Sequence, residues 1–151
     1  MNKQEIKEYL TAKFPSFSVE ETIDFPVLRV PKEHLVATVK QLKDDDATRF
    51  NFLFNQTAVD YQPEMELVYH LSSTQYRHDL MLKVTLADRD NPAVDSITPL
   101  YKAAELYECE IFDLFGIHFN GFDGLRRLFL PPDWPGFPLR KDYTDNDMIT
   151  R

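Results

Sequence analysis

Four histidines (His34, His70, His78 and His118) and one cysteine, Cys109, are the side chains best suited to hold a metal or move a proton. Their spacing supports neither task. No two histidines stand in an H-x-x-x-H or H-E-x-x-H arrangement, and a single thiol builds no all-cysteine zinc or iron–sulfur site within one chain. The four glycines match neither G-x-x-x-x-G-K-S/T nor G-x-G-x-x-G, so no phosphate-cradling loop is encoded. Cys109 lacks the neighbouring cations that activate a thiolate, and it reads as inert. The sequence therefore predicts no catalytic residue, no cofactor-binding residue and no metal ligand.

A second pattern is made of charge and rings. Glu108, Glu110 and Asp113 lie close together, followed by Arg126 and Arg127, and then by Arg140, Lys141 and Asp142. Arginine binds a carboxylate through two parallel N–H donors and also stacks on aromatic faces. Trp134 and Phe137 supply such faces between the two basic pairs. This is chemistry of recognition. The arginines either grip a partner or pair internally with Glu108, Glu110 or Asp113, and these residues are candidates for a partner interface or for anchoring a C-terminal arm.

The net charge of −8, from 17 Lys+Arg against 25 Asp+Glu, disfavours phosphate backbones and anionic lipid as direct ligands. Between Gly121 and Asp142 the balance reverses, because Arg126, Arg127, Arg140 and Lys141 face only Asp123, Asp133 and Asp142. With 151 residues the chain supports one globular domain, burying roughly two-thirds of its unfolded surface. No apolar run approaches the ~20 residues of a membrane span, and Met1 to Glu5 does not open like a secretory signal. One cysteine forms no internal disulfide, so the expected compartment is the reducing cytosol.

The elements that must position these residues follow from periodicity. Ile6, Leu10 and Phe14 repeat at helical spacing, as do Leu35, Val39 and Leu42. Val27 to Val30 reads as a strand between Pro26 and Pro31, and Phe50 to Tyr61 contains another. Met65, Leu67, Tyr69 and Leu71 alternate with polar residues, and so do Leu80, Leu82, Val84 and Leu86, predicting an antiparallel pair with one buried face. A long helix is expected from a cap at Thr98, through Pro99 in its first turn, to a stop at Gly116. Its apolar stripe is Leu100, Ala103, Ala104, Tyr107, Ile111, Leu114 and Phe115. The predicted class is α+β: a mixed or antiparallel sheet covered by helices on one face. That domain is expected over 1–120, with an extended Pro/Gly-rich arm of the same domain over 121–151.

The arm holds Pro131, Pro132, Pro135 and Pro138, the only tryptophan, and Gly121, Gly124 and Gly136. Proline and glycine at this density exclude a helix or a central strand. Yet Leu128, Phe129, Leu130, Trp134, Phe137 and Leu139 want burial. Such a segment either docks on another protein or folds back over its own domain, and composition leaves both open.

The run Tyr107-Glu108-Cys109-Glu110-Ile111-Phe112-Asp113-Leu114-Phe115-Gly116-Ile117, then Leu125-Arg126-Arg127-Leu128, then Gly136-Phe137-Pro138-Leu139-Arg140-Lys141-Asp142-Tyr143 resembles the signature of the C-type (30 kDa-type) subunit of respiratory complex I. Upstream, Thr57-Ala58-Val59-Asp60-Tyr61 is similar to that family's T-A-V-D-Y strand. Cys109 stands where the family's E-R-E has arginine, Gly121-Phe122-Asp123-Gly124 replaces G-H-P-D, and Phe137 replaces the histidine of G-H-P-L. The resemblance implies a non-catalytic peripheral-arm component of NADH:quinone oxidoreductase, bracing the D-type, quinone-pocket subunit during electron transfer from NADH to quinone. It implies no cofactor in this chain, with iron–sulfur clusters, FMN and quinone held by partner subunits. Expected partners are a protein of that D type, or one like a hydrogenase large subunit, and neighbouring iron–sulfur subunits. The expected location is the cytoplasmic face of the cell membrane, reached indirectly through the complex. The equivalent component of a membrane-bound energy-converting hydrogenase is the alternative, and a free-standing adaptor is a third reading.

Overall fold

The structure, a computed structural model, describes residues 1–145; the last six residues of the expected 121–151 arm lie outside the described residues. Helix α1 (Lys3–Lys13) opens with a capping box, in which Asn2 Oδ1 accepts from Glu5 N and Glu5 Oε2 accepts from Asn2 N. Strands β1 (Ser18–Glu21) and β2 (Pro26–Arg29) form a short hairpin. A single 3₁₀ turn, Lys32–His34, leads into α2 (Leu35–Asp44), and β3 (Phe52–Asp60), β4 (Met65–Ser72) and β5 (Asp79–Leu86) follow. The five strands lie in the order β1-β2-β5-β4-β3. All neighbours are antiparallel except β2 and β5, which run parallel, so the sheet is mixed. The parallel pairing requires the chain to leave β2 and return through α2, β3 and β4 before β5 is laid down.

One face of the sheet is closed by helices. Met65, Leu67, Tyr69 and Leu71 of β4 and Leu80, Leu82, Val84 and Leu86 of β5 form one core with Ile6, Leu10, Leu35, Val39, Leu42, Ala104 and Ile111. The alternation in the sequence is thus a buried face, as period-two spacing requires. The opposite face carries rings, with His70 edge-on to Phe25 and to Phe54. It also carries Glu66, which is held by Arg29 at 3.0 Å and Lys83 at 3.7 Å.

The long helix differs from its expected start. After β6 (Ala93–Asp95), helix α3 spans only Ala104–Phe115 and is followed by β7 (His118–Asn120), which pairs parallel with β6. Thr98 does not cap it. Ser96 Oγ accepts from Thr98 N, and Ile97 O accepts from both Leu100 N and Tyr101 N, which closes tight turns before the helix begins. The Tyr101 hydroxyl donates inward to Phe50 O, pinning those turns to the core. Ala103, assigned by spacing to the apolar stripe, is exposed as a result. The expected stop holds: Gly116 is the C-cap at φ 75°, with its N–H on Phe112 O, a left-handed conformation that favours glycine.

Candidate functional site

Helix α3 carries two acidic side chains on its buried side, where an amphipathic reading would place only apolar ones. Glu108 and Asp113 are both fully buried. Glu108 points into the core: Ser96 Oγ donates to its two oxygens at 2.8 and 2.9 Å, and Ile97 N donates at 3.1 Å. Burial pushes its carboxyl up to about 7, against the opposing pull of those hydrogen bonds. Glu108 therefore meets none of the described arginines of the arm.

Asp113 holds the arm instead. Its Oδ2 accepts from three successive amides, Leu128 N at 3.1 Å, Phe129 N at 2.7 Å and Leu130 N at 3.3 Å. Its Oδ1 accepts from Arg127 Nη1 at 3.3 Å. Arg127 then reaches onward, donating from Nη2 to Trp134 O at 3.1 Å and Gly136 O at 2.9 Å. Its guanidinium lies 4.6 Å from the centroid of Phe137. One carboxylate and one guanidinium thus satisfy backbone groups that proline and the absence of a ladder would leave unpaired.

A second anchor fixes the arm at Lys141. Asp60, at the end of β3, accepts from both terminal nitrogens of Arg89, at 3.0 Å for the Nη2–Oδ2 contact, and from Lys141 N at 2.8 Å. The Arg89 guanidinium holds this carboxyl well below the usual carboxylate range, with the Lys141 and Gln62 amides adding to it. Arg140 donates to Arg89 O at 2.7 Å and to Asp142 Oδ1 at 3.2 Å. Asp142 in turn lies 3.4 Å from Arg89. The Arg140-Lys141-Asp142 run is therefore tied to the β3 end of the sheet.

The sequence-selected residues separate into distinct groups. Asp113, Arg127, Phe137, Arg140 and Asp142 meet in the anchoring contacts, with Lys141 contributing its backbone. Trp134 is partly exposed, its ring N–H donating to Tyr143 Oη at 3.2 Å. Glu110 and Arg126 lie on the surface. Cys109 is buried beneath the arm, its thiol donating to Gly124 O at 3.6 Å. Asp60 and Arg89 are anchoring residues that the sequence reading does not select. Asp60 is within its reach, because it sits in the Thr57–Tyr61 segment that carries the upstream resemblance. Arg89 offers no sequence signal beyond being a cation in a polar turn. Among the described residues there is no group of three or more His, Cys, Asp or Glu that could hold a metal ion, and no helix long and apolar enough to cross a membrane.

The family model and the relatives similar in sequence agree on one family. The family model described as the respiratory-chain NADH dehydrogenase, 30 Kd subunit, matches residues 28–147. The C-type subunit of NADH-quinone oxidoreductase from Moorella thermoacetica is 44% identical over 132 residues, covering 86% of this chain and 87% of that protein. Its counterpart in Roseiflexus castenholzii is 45% identical over 118 residues, covering 76% and 67%. The NADH-quinone oxidoreductase C/D protein of Methylococcus capsulatus is 38% identical over 139 residues, covering 85% of this chain and 24% of that longer protein. Among solved structures, a chain of the membrane-bound sulfane sulfur reductase, an archaeal respiratory membrane complex, is similar with a TM-score of 0.79 at 28% identity. That match covers 93% of this chain and 85% of the other.

Proposed function

The chain belongs to the family of the 30 kDa subunit of respiratory-chain NADH dehydrogenase, and on that premise we propose that it acts as a non-catalytic scaffold bracing a partner of the D type, the quinone-pocket subunit. In this reading the redox centres (iron–sulfur clusters, FMN and the quinone site) belong to neighbouring subunits. This chain contributes shape and contacts, at the cytoplasmic face of the membrane, without inserting into the bilayer. The observation that carries the reading is the arm. Its backbone is fixed at Leu128–Leu130 by Asp113 and at Lys141 by Asp60, while Phe129 and Leu139 stay 69% and 52% exposed. Ordering an extended segment costs roughly 1–2 kcal/mol per residue, and holding apolar side chains in water adds nothing in return. A partner that covers them offsets that cost. Relatives named as joint C/D proteins support the D-type subunit as that partner, since in them the two form one chain.

A role in a related membrane complex is the second reading, favoured by the likeness to the sulfane sulfur reductase chain. The higher identity to the C-type proteins of NADH-quinone oxidoreductase favours the first. The test is reconstitution. The full chain should co-purify with a D-type homologue and show no NADH or quinone turnover alone, and a complex lacking residues 121–151 should lose quinone reduction. Turnover or stoichiometric metal in the isolated chain would overturn the proposal.

A further inference from the structure

We infer that the docking surface is the outward side of the arm over α3, with Phe129 and Leu139 as apolar anchors and Arg126 as its cation, and that it fits a protein surface whose apolar socket is rimmed by carboxylates. The inference rests on the scaffold reading above and specifies which residues of the arm would face the partner.

The two arginines that stand side by side have opposite fates. Arg127 is spent internally, on Asp113, Trp134 O and Gly136 O. Arg126 is exposed and makes no hydrogen bond or ion pair with any other described residue. Arg140 is likewise spent, on Arg89 O and Asp142. Between Gly121 and Asp142 the cations left to solvent are therefore Arg126 and the Lys141 side chain, alongside exposed Asp123 and Asp133, on a chain whose net charge is −8. A partner carboxylate is repelled by most of this acidic molecule and attracted at Arg126, which favours one orientation of docking.

The backbone that carries the exposed Phe129 and Leu139 is already positioned for binding. The three amides held by Asp113 fix the backbone of Leu128, Phe129 and Leu130, and Leu139 N donates to Leu114 O at 2.9 Å. A rigid backbone carrying an exposed ring has already met much of the ordering cost of association, which is the property of an interface hot spot. Helix α3 presents its own exposed side chains ahead of Leu114, whose carbonyl accepts from Leu139 N. Leu106 and Glu110 lie two turns and one turn before Leu114 on the same helical stripe, with Leu106 66% exposed and Glu110 on the surface. The complementary surface thus places a carboxylate against Arg126 and apolar groups against Phe129 and Leu139.

The test is a binding titration of the full chain against the D-type homologue of the same organism, at low and high salt. The wild-type chain should bind, with affinity falling as salt rises. Phe129→Ser and Leu139→Ser should each weaken binding at least tenfold, with the melting temperature and circular dichroism unchanged. Arg126→Gln should weaken binding and flatten its salt dependence, and Arg126→Glu should weaken it most at low salt. Wild-type affinity in the Phe129→Ser and Arg126→Gln variants would overturn the assigned surface while leaving the scaffold function standing. So would a large loss of thermal stability in Phe129→Ser. Failure of the wild-type chain to bind would overturn both.

Discussion

The ring of Phe137 occupies the space that a side chain on Gly116 would need: a Cβ built there would lie 2.6 Å from Phe137 Cδ2 and 2.9 Å from its Cγ. Helix α3 and the arm are therefore fitted together at the residue that ends the helix. The ring has little room to retreat, being stacked under Arg127 and 6.1 Å from the centroid of Phe112. Gly116→Ala combines left-handed strain with overpacking, and the expected cost is about 2–3 kcal/mol. Thermal unfolding should show it. In the Gly116→Ala/Phe137→Leu double variant the clash is relieved and the strain remains, so only part of the loss should return.

Asp113 carries more of the arm than any other side chain among the described residues. Asp113→Ala leaves Arg127 without its carboxylate and three backbone amides without their acceptor. The expected loss is about 3–5 kcal/mol. Asp113→Asn keeps one acceptor oxygen and should lose less. A difference of under about 1 kcal/mol between wild type and Asp113→Ala in denaturant titration would show that the arm contributes little to the stability of the domain.

The strand pair and the Gly116 stop are legible in the sequence because each depends on local chemistry: alternation and positive φ. Four features are not. The start of α3 is hidden because Thr98 looks like a helix cap, yet its hydroxyl bonds to that of Ser96, which in turn donates to Glu108. The burial of Glu108 and Asp113 is hidden because spacing reports a residue's place on the helix and not whether a buried acceptor has donors waiting for it. The tie from Asp60 to Lys141 joins residues 81 apart in sequence, a separation at which no spacing pattern exists. The parallel β2–β5 pair is hidden for the same reason, since it is set by the path of the chain through three intervening elements.

Asp60 predicts how the end of the arm is released. Asp60→Asn removes the charge that pairs with Arg89 and weakens the bond to Lys141 N, while the core beside β3 keeps its packing. Limited trypsin digestion reads this directly, because Arg140 and Lys141 are cleavage sites only when their backbone is free. Cleavage there should be at least severalfold faster in Asp60→Asn than in wild type, with cleavage at Arg77 unchanged. Equal rates at both places would show that the Asp142 and Arg140 contacts hold the arm without Asp60.

Glu108 gives the domain a pH dependence of unusual sign. Its carboxyl is pushed up to about 7 in the folded chain, above the ordinary value of 4.5. From about pH 4.5 to 7 the folded state keeps a proton that the unfolded chain releases, so stability falls as pH rises through this window. The full cost is reached above about pH 7 and is on the order of 3 kcal/mol. His70 and His78, both lowered by burial, act in the opposite sense, because folding withholds from them a proton that the unfolded chain takes up below about pH 6.5. The wild-type profile alone mixes these slopes. Subtracting the Glu108→Gln profile isolates the carboxyl: the variant should be close to wild type at about pH 5 and should gain relative to it up to about pH 8. Ser96→Ala removes the donor that opposes burial and should shift the same window upward. A Glu108→Gln difference that stays flat from about pH 5 to 8 would mean that the buried carboxyl does not titrate there.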